Sequence, residues 1–297
     1  MELIGWLLSF LPRSAQVSLG RGLGNLLAWR KVRIGVVQQN LQIAFPNKDE
    51  NFRKRLILQS YEGLGNLVIE ILLLFGPFRS FIKKHSSISG GDHWRAAKKL
   101  GKGVIFASSH VGNWEIMAAT GAIHEGMDMM IVTKHLKPEW IHRAVERARL
   151  RCGVRATYEP KTLKDVLRHL GKNGTVGFVM DQYSGPPVGV RVPVFGVPVG
   201  TPAAIAMLAK RTGATVLPVV NWRDENGKFH VQIRAPLPWE TDPDTTREIA
   251  LNTARFATDL EKDILAHPEQ WLWIHRRFKG DLGPLREQEW SDGRARR

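Results

Sequence analysis

The chain has 297 residues, enough for one large α/β domain, and its 43 Lys and Arg against 28 Asp and Glu give a formal net charge of +15. That balance points to a polyanionic partner, and ten Trp residues in so basic a chain favour an anionic bilayer over nucleic acid, for which no recognisable module is present. The single cysteine, Cys152, excludes an intrachain disulfide and any multi-cysteine zinc or iron–sulfur site, and fits a cytoplasm-facing location.

In chain order, the N-terminus opens on Leu3-Ile4-Gly5-Trp6-Leu7-Leu8-Ser9-Phe10-Leu11 and continues through Val17 to Trp29. The first apolar run is shorter than the roughly 20 residues a spanning helix needs, and Arg13 and Arg21 interrupt any longer window. It also lacks the features of a secretory signal. Residues 1–30 therefore read as a helical segment lying in the membrane plane, with Arg30-Lys31-Val32-Arg33 suited to lipid headgroups, and residues 31–297 as a single α/β domain. A helix spans Asp49 to Phe75 and is stopped by Gly76-Pro77.

From Gly91 onward helices and strands alternate. His93 to Leu100 reads as helix, Val104 to Ala107 as strand, Ile116 to Ala122 as helix and Met129 to Val132 as strand. Two helices follow, Trp140 to Leu150 and Thr162 to Leu170, and then a buried strand from Val176 to Met180 that ends at Asp181. Pro202 to Lys210 reads as a helix capped by Thr201, followed by strands at Thr215 to Val220 and Lys228 to Ile233 and a long helix from Thr245 to His267. Such alternation predicts a mainly parallel central sheet flanked by helices, with chemistry at the C-terminal ends of its strands.

One such strand end carries Ser108-Ser109-His110-Val111-Gly112-Asn113-Trp114-Glu115. Asn113 is a suitable N-cap, which puts Glu115 in the first helical turn and predicts that it reaches back to the His110 ring. A carboxylate that fixes one imidazole tautomer makes the other ring nitrogen a better base toward a hydroxyl, and the alternative reading of so basic a chain is a non-catalytic lipid-binding protein. No Gly-x-Ser-x-Gly elbow surrounds Ser108 or Ser109, so no covalent serine intermediate is expected. No ligand cluster with metal spacing is present, so neither a metal nor another cofactor is expected.

A histidine, four residues and an acid, together with Gln39-Asn40-Leu41-Gln42-Ile43-Ala44-Phe45-Pro46, Met180-Asp181-Gln182-Tyr183-Ser184-Gly185, Val192-Pro193-Val194-Phe195-Gly196, Gly200-Thr201-Pro202 and Pro268-Glu269-Gln270-Trp271-Leu272-Trp273-Ile274-His275-Arg276-Arg277-Phe278-Lys279, form an ordered set. From about Leu3 to Lys279 the chain resembles the lysophospholipid acyltransferase superfamily and, more closely, its branch of bacterial late lipid A acyltransferases. Two positions depart from that branch: Tyr183-Ser184 replaces an acid and an aromatic residue, and Tyr158-Glu159-Pro160 stands where a basic residue is common.

The resemblance implies a glycerolipid-acyltransferase-like fold on the cytoplasmic face of the inner membrane. It implies transfer of a fatty acyl group from acyl carrier protein or coenzyme A, as co-substrate, to a hydroxyl of a lipid A precursor or another membrane lipid. His110 and Glu115 are the implied catalytic pair. Asn113, Trp114, Arg149, Arg151, Asp181, Gln182, Gly196 and Thr201 are the implied substrate-binding set, with Asn113 or backbone N–H groups near Gly112 as oxyanion donors. His275 reads as structural rather than as a second base.

Overall fold

The computed structural model describes residues 2–279, so the last part of the expected domain, 280–297, lies outside the described residues. Five helices precede the sheet: α1 (Glu2–Phe10), α2 (Arg13–Trp29), α3 (Ile34–Ala44), α4 (Glu50–Leu73) and α5 (Phe78–His85). There follow β1 (Ser86–Ser89), α6 (Gly91–Lys99), β2 (Val104–Ser108), α7 (Trp114–His124), β3 (Met129–Val132), α8 (Glu139–Arg151), β4 (Val154–Thr157), α9 (Thr162–Gly171) and β5 (Thr175–Val179). A hairpin of β6 (Gly189–Val194) and β7 (Val197–Pro202) interrupts the alternation. The chain then forms α10 (Ala204–Thr212), β8 (Thr215–Arg223), β9 (Phe229–Ile233), α11 (Thr245–Ala266) and a 3-10 turn at Pro268–Gln270.

Seven strands pair in the order β1-β9-β8-β2-β5-β3-β4, and every neighbouring pair is parallel except β8 and β9. The mainly parallel sheet is thus as expected. Strands β1 and β4 escape sequence patterning because each is a four-residue edge strand, Ser-Ser-Ile-Ser and Val-Arg-Ala-Thr, too short and too polar to show periodicity. The helix expected from Pro202 starts later, because Thr201 and Pro202 close β7 and Ala203 occupies the N-cap.

Alternating side chains of β2 face two different cores, one on each side of the sheet. Val104 and Phe106 of β2 pack with Ile116, Met117 and Ala118 of α7, whereas Ile105 and Ala107 pack on the opposite face with residues of α9, α10 and α11. Strand β2 is buried at all five positions, as a central parallel strand covered on both faces must be.

The N-terminal helices pack by backbone contact. A Cβ placed at Gly65 of α4 would lie 2.0 Å from the Gly20 carbonyl oxygen and 2.5 Å from the Gly24 nitrogen of α2, and one at Gly24 would lie 2.2 Å from the Tyr61 carbonyl. Among the described residues α4 is the one helix long and apolar enough to cross a membrane, but 44% of its most apolar window is buried within the protein. Helix α1 instead leaves Leu3, Trp6, Leu7 and Phe10 exposed, Phe10 to 77%.

The α2–α4 contact leaves no room for a side chain, so Gly65→Val is expected to lower stability by about 1–3 kcal/mol or more through overpacking. Gly22 on the exposed side of α2 has nothing within 4 Å of its Cβ position, and Gly22→Ala is expected to raise stability by up to about 1 kcal/mol. Urea unfolding midpoints of the two variants test both signs.

Candidate active site

Strands β2 and β5 are adjacent and in register, with Ser108 opposite Val179, and the Met180 N–H donates to the Ser108 carbonyl at 3.0 Å. Two residues past these partners lie His110 and Asp181. The pairing therefore brings together two residues 71 positions apart: His110 Nδ1 sits 2.7 Å from Asp181 Oδ1, and the His110 backbone N–H donates to Oδ2, also at 2.7 Å. The Trp271 indole N–H donates to the same Oδ2 at 2.6 Å.

Burial alone would raise the Asp181 pKa, but His110, by its ring and its backbone N–H, and the Trp271 indole outweigh it and hold the carboxyl far below the usual range. A depressed carboxyl contributes its stabilisation in full above the ordinary aspartate range and loses it only on deep acidification, so Asp181 is an anion throughout the neutral range. An anionic acceptor at Nδ1 selects the Nδ1–H tautomer and leaves Nε2 with its lone pair. Nε2 is 3.3 Å from the Gln182 amide nitrogen, which is in turn 3.4 Å from Nε2 of His275. Burial, and then the neighbouring His110, lower the His275 pKa.

This arrangement corrects the expected pairing. Glu115 does lie in the first turn of α7, and Asn113 does cap that helix by accepting from the Glu115 and Ile116 N–H groups at 3.0 and 3.2 Å. Its carboxylate, however, receives the fork of Arg149 from α8, Nε to Oε2 at 2.8 Å and Nη2 to Oε1 at 2.5 Å. Both partners are buried, and Trp114 packs edge-on against the His110 ring at 4.7 Å between centroids. Burial would lower the Arg149 pKa, and Glu115 outweighs it and raises it. Asp181, read from sequence as a substrate-positioning or bracing residue, is the ring's partner.

The expected oxyanion donors are otherwise engaged. Asn113 Nδ2 donates to Glu70 Oε2 at 3.2 Å, the Asn113 N–H to Asn221 Oδ1 at 2.8 Å, and the Gly112 N–H to the Gln270 carbonyl at 3.0 Å. Gly112 has φ +65°, and a Cβ there would meet the Asn221 carbonyl at 2.6 Å, so glycine is required for the loop to turn into α7. Glu70 also accepts from Arg13 Nη2 at 3.1 Å and Arg223 Nε at 2.6 Å, which ties the helical layer and β8 to the capping residue. No sequence pattern marked Glu70, which is one acid in an apolar helix end.

A cavity of about 910 Å³ opens beside His110, between α7 and the sheet face. His110, Trp114, Glu115, Arg149 and Gln182 line it near the histidine, and Phe106, Met117, Met129, Ile131, Val219 and Ile233 are among the apolar side chains that extend it. Five expected binding residues do not line it: Asn113 and Asp181, engaged as described above, and Arg151, Gly196 and Thr201. Arg151 is exposed, and its carbonyl accepts from Arg79 Nη1 at 3.4 Å. Gly196, with φ +76° after Phe195 at φ +49°, forms the tip of the β6–β7 hairpin. Thr201 Oγ accepts from Arg277 Nη2 at 2.6 Å, and Arg277 also reaches the Gly200 and Gln182 carbonyls, a buried brace behind Gln182.

Residues 2–280 match the family described as bacterial lipid A biosynthesis acyltransferase. Over 279 residues the chain is 30% identical to the lipid A biosynthesis lauroyltransferase of Escherichia coli (strain K12), covering 92% of this chain and 88% of that one. It is 26% identical to the lipid A biosynthesis palmitoleoyltransferase of the same organism, with 92% and 88% covered. It is 29% identical to a phosphatidylinositol mannoside acyltransferase of Mycobacterium tuberculosis (strain ATCC 25618 / H37Rv), with 68% and 63% covered.

Removing one member of a buried ion pair strands the other, so Glu115→Ala is expected to lower stability by about 3–5 kcal/mol, and the double variant Glu115→Ala/Arg149→Met to recover most of it. Denaturant titrations of the three proteins decide this. Nitrogen NMR of the His110 ring is expected to show the Nδ1–H tautomer in the wild type, to lose that preference in Asp181→Asn, and to keep it in Glu115→Gln.

Proposed function

The chain belongs to the bacterial lipid A biosynthesis acyltransferase family, and we propose that it transfers a fatty acyl group from a thioester to a hydroxyl of a lipid A precursor with His110 as general base. The observation that carries this reading is the ionised Asp181 clamp on His110 Nδ1 at the mouth of a large apolar cavity. His110 Nε2 takes the proton of the acceptor hydroxyl as its oxygen attacks the thioester carbonyl. The tetrahedral intermediate collapses with cleavage of the carbon–sulfur bond, and the imidazolium returns the proton to the departing thiolate. One ester forms, one thiol is released, and the two substrates alone balance the reaction.

Asp181 acts as a positioning residue that steadies the imidazolium. Glu115 serves differently from the sequence expectation: it holds Arg149 fixed at the cavity wall, where the guanidinium favours a negatively charged group of either substrate. Gln182, within reach of both histidines, orients the reacting groups.

Acyl carrier protein and coenzyme A present the same kind of thioester, and the excess positive charge suits the acidic character of either. The exposed apolar side chains of α1 support attachment to the cytoplasmic face of the inner membrane. Arg147 Nη2 of α8 pairs with Glu2 of α1 at 3.5 Å, so the exposed Trp140 and Arg143 of α8 belong to a helix that abuts the same segment. Lys and Arg beside exposed Trp and Leu are what an anionic interface attracts.

Labelled acyl carrier protein or acyl coenzyme A, incubated with a tetra-acylated Kdo-lipid A precursor in detergent micelles, is expected to yield an acylated product. His110→Ala is expected to abolish turnover, and Asp181→Asn to lower kcat by about 10³-fold or more while the fold is retained. A wild type that acylates only other glycolipids would move the acceptor assignment and leave the chemistry. For the membrane, Leu7→Asp/Phe10→Asp is expected to release the protein from anionic vesicles in a flotation assay, and unchanged flotation would refute α1 as the attachment.

A further inference from the structure

The sheet wall of the cavity contains one position without a side chain. Phe106 of β2, Gly177 of β5 and Ile131 of β3 are direct neighbours in the parallel register, so they form a row on one face of the sheet, and all three line the cavity. The row below it consists of Val104, Thr175 and Met129. There Thr175 is fully buried and Thr175 Oγ accepts from the Trp94 indole N–H at 2.9 Å. Of that lower row only Met129 lines the cavity, so on the central strands the cavity ends where Gly177 stands.

The depth of this row is set by the strand. From Asp181, which holds His110, back to Gly177 is four residues, about 13 Å at the rise of a parallel strand. That is the scale of a medium-length extended acyl chain whose carbonyl lies at His110.

Gly177 has no conformational need to be glycine. Its backbone is ordinary strand, and a Cβ there would meet Ile131 Cγ2 at 3.7 Å, Met129 Sδ at 3.9 Å and the Met130 carbonyl at 4.0 Å, all ordinary contacts. Gly121, the other glycine on the wall, differs: a Cβ there would lie 2.9 Å from Met127 Sδ, so close packing accounts for it. A side chain at 177 would fit the backbone and take up cavity space above the central strands, between Phe106 and Ile131.

We infer that Gly177 sets the maximum acyl chain length this protein accepts, its absent side chain leaving room for the terminal carbons of the chain between Phe106 and Ile131. The inference rests on the acyltransferase reading, in which the cavity holds the acyl group.

The test compares the wild type with Gly177→Ala and Gly177→Val, each offered saturated acyl thioesters of graded length with the lipid A precursor. A second measurement follows the thermal stabilisation of the same proteins by free fatty acids of the same lengths. The expected result is graded: Gly177→Val loses turnover of the longest accepted chain by tenfold or more relative to chains two to four carbons shorter, Gly177→Ala loses less, and the fatty-acid length giving maximal stabilisation shortens in step. An unchanged length profile in Gly177→Val, or an equal loss at every length with an unchanged fatty-acid optimum, overturns the inference. If the wild type transfers no acyl group but the fatty-acid optimum still shortens, the transfer reading fails and the assignment of Gly177 stands.

Discussion

One buried carboxylate organises the centre of this protein. Asp181 accepts from the His110 ring, from the His110 backbone N–H and from the Trp271 indole, so a single anion fixes the ring, the loop that carries it and the C-terminal segment that closes over both. Burying an isolated carboxylate is costly, and it remains charged only because charge-assisted bonds satisfy both of its oxygens. The same bonds dictate which imidazole nitrogen carries the proton. Structure and tautomer at this point are therefore one constraint: the interactions that allow the charge to be buried also leave the lone pair on Nε2 of a histidine that lines the cavity.

A second buried acid supports the first from the other side of the loop. Glu70 takes Arg13 from α2 and Arg223 from β8 on one oxygen, and the Asn113 amide on the other. Asn113 in turn caps α7, the helix that covers the cavity and carries Glu115. The N-terminal helices are thus coupled to the candidate site through hydrogen bonds and not merely attached beside it. Their glycine-mediated approach, with α2 and α4 in backbone contact, brings Arg13 within reach of Glu70.

The cavity follows from the same architecture. Because β2 and β5 are covered on both faces, a void persists where side chains are small or absent, which α7 supplies at Ala118 and Gly121 and β5 at Gly177. Methionines 117 and 129 line it as well, and their unbranched thioethers adapt to a flexible apolar occupant more readily than branched side chains do. The buried Glu115–Arg149 pair adds a hydrogen-bonded polar patch to an otherwise largely apolar cavity wall.

The sequence by itself determined the alternation of helices and strands, the mainly parallel sheet, the placement of His110 and Asp181 at strand ends, the Asn113 cap and the family signature along the chain. Those features are written in short-range patterns: periodicity, capping chemistry and ordered local motifs. What only the tertiary structure decided is which groups meet. Glu115, five residues from His110, turns away because α7 begins at Trp114 and carries that carboxylate toward Arg149 on α8. Asp181, 71 residues distant, arrives because β2 and β5 lie side by side in register. Thr201 could not be recognised as part of a buried brace, nor Gly196 as a hairpin tip, nor Gly177 as a gap in a cavity wall. Each of those roles belongs to a neighbour across the fold, and strand adjacency and helix packing, unlike periodicity, leave no mark in the spacing of one chain's residues.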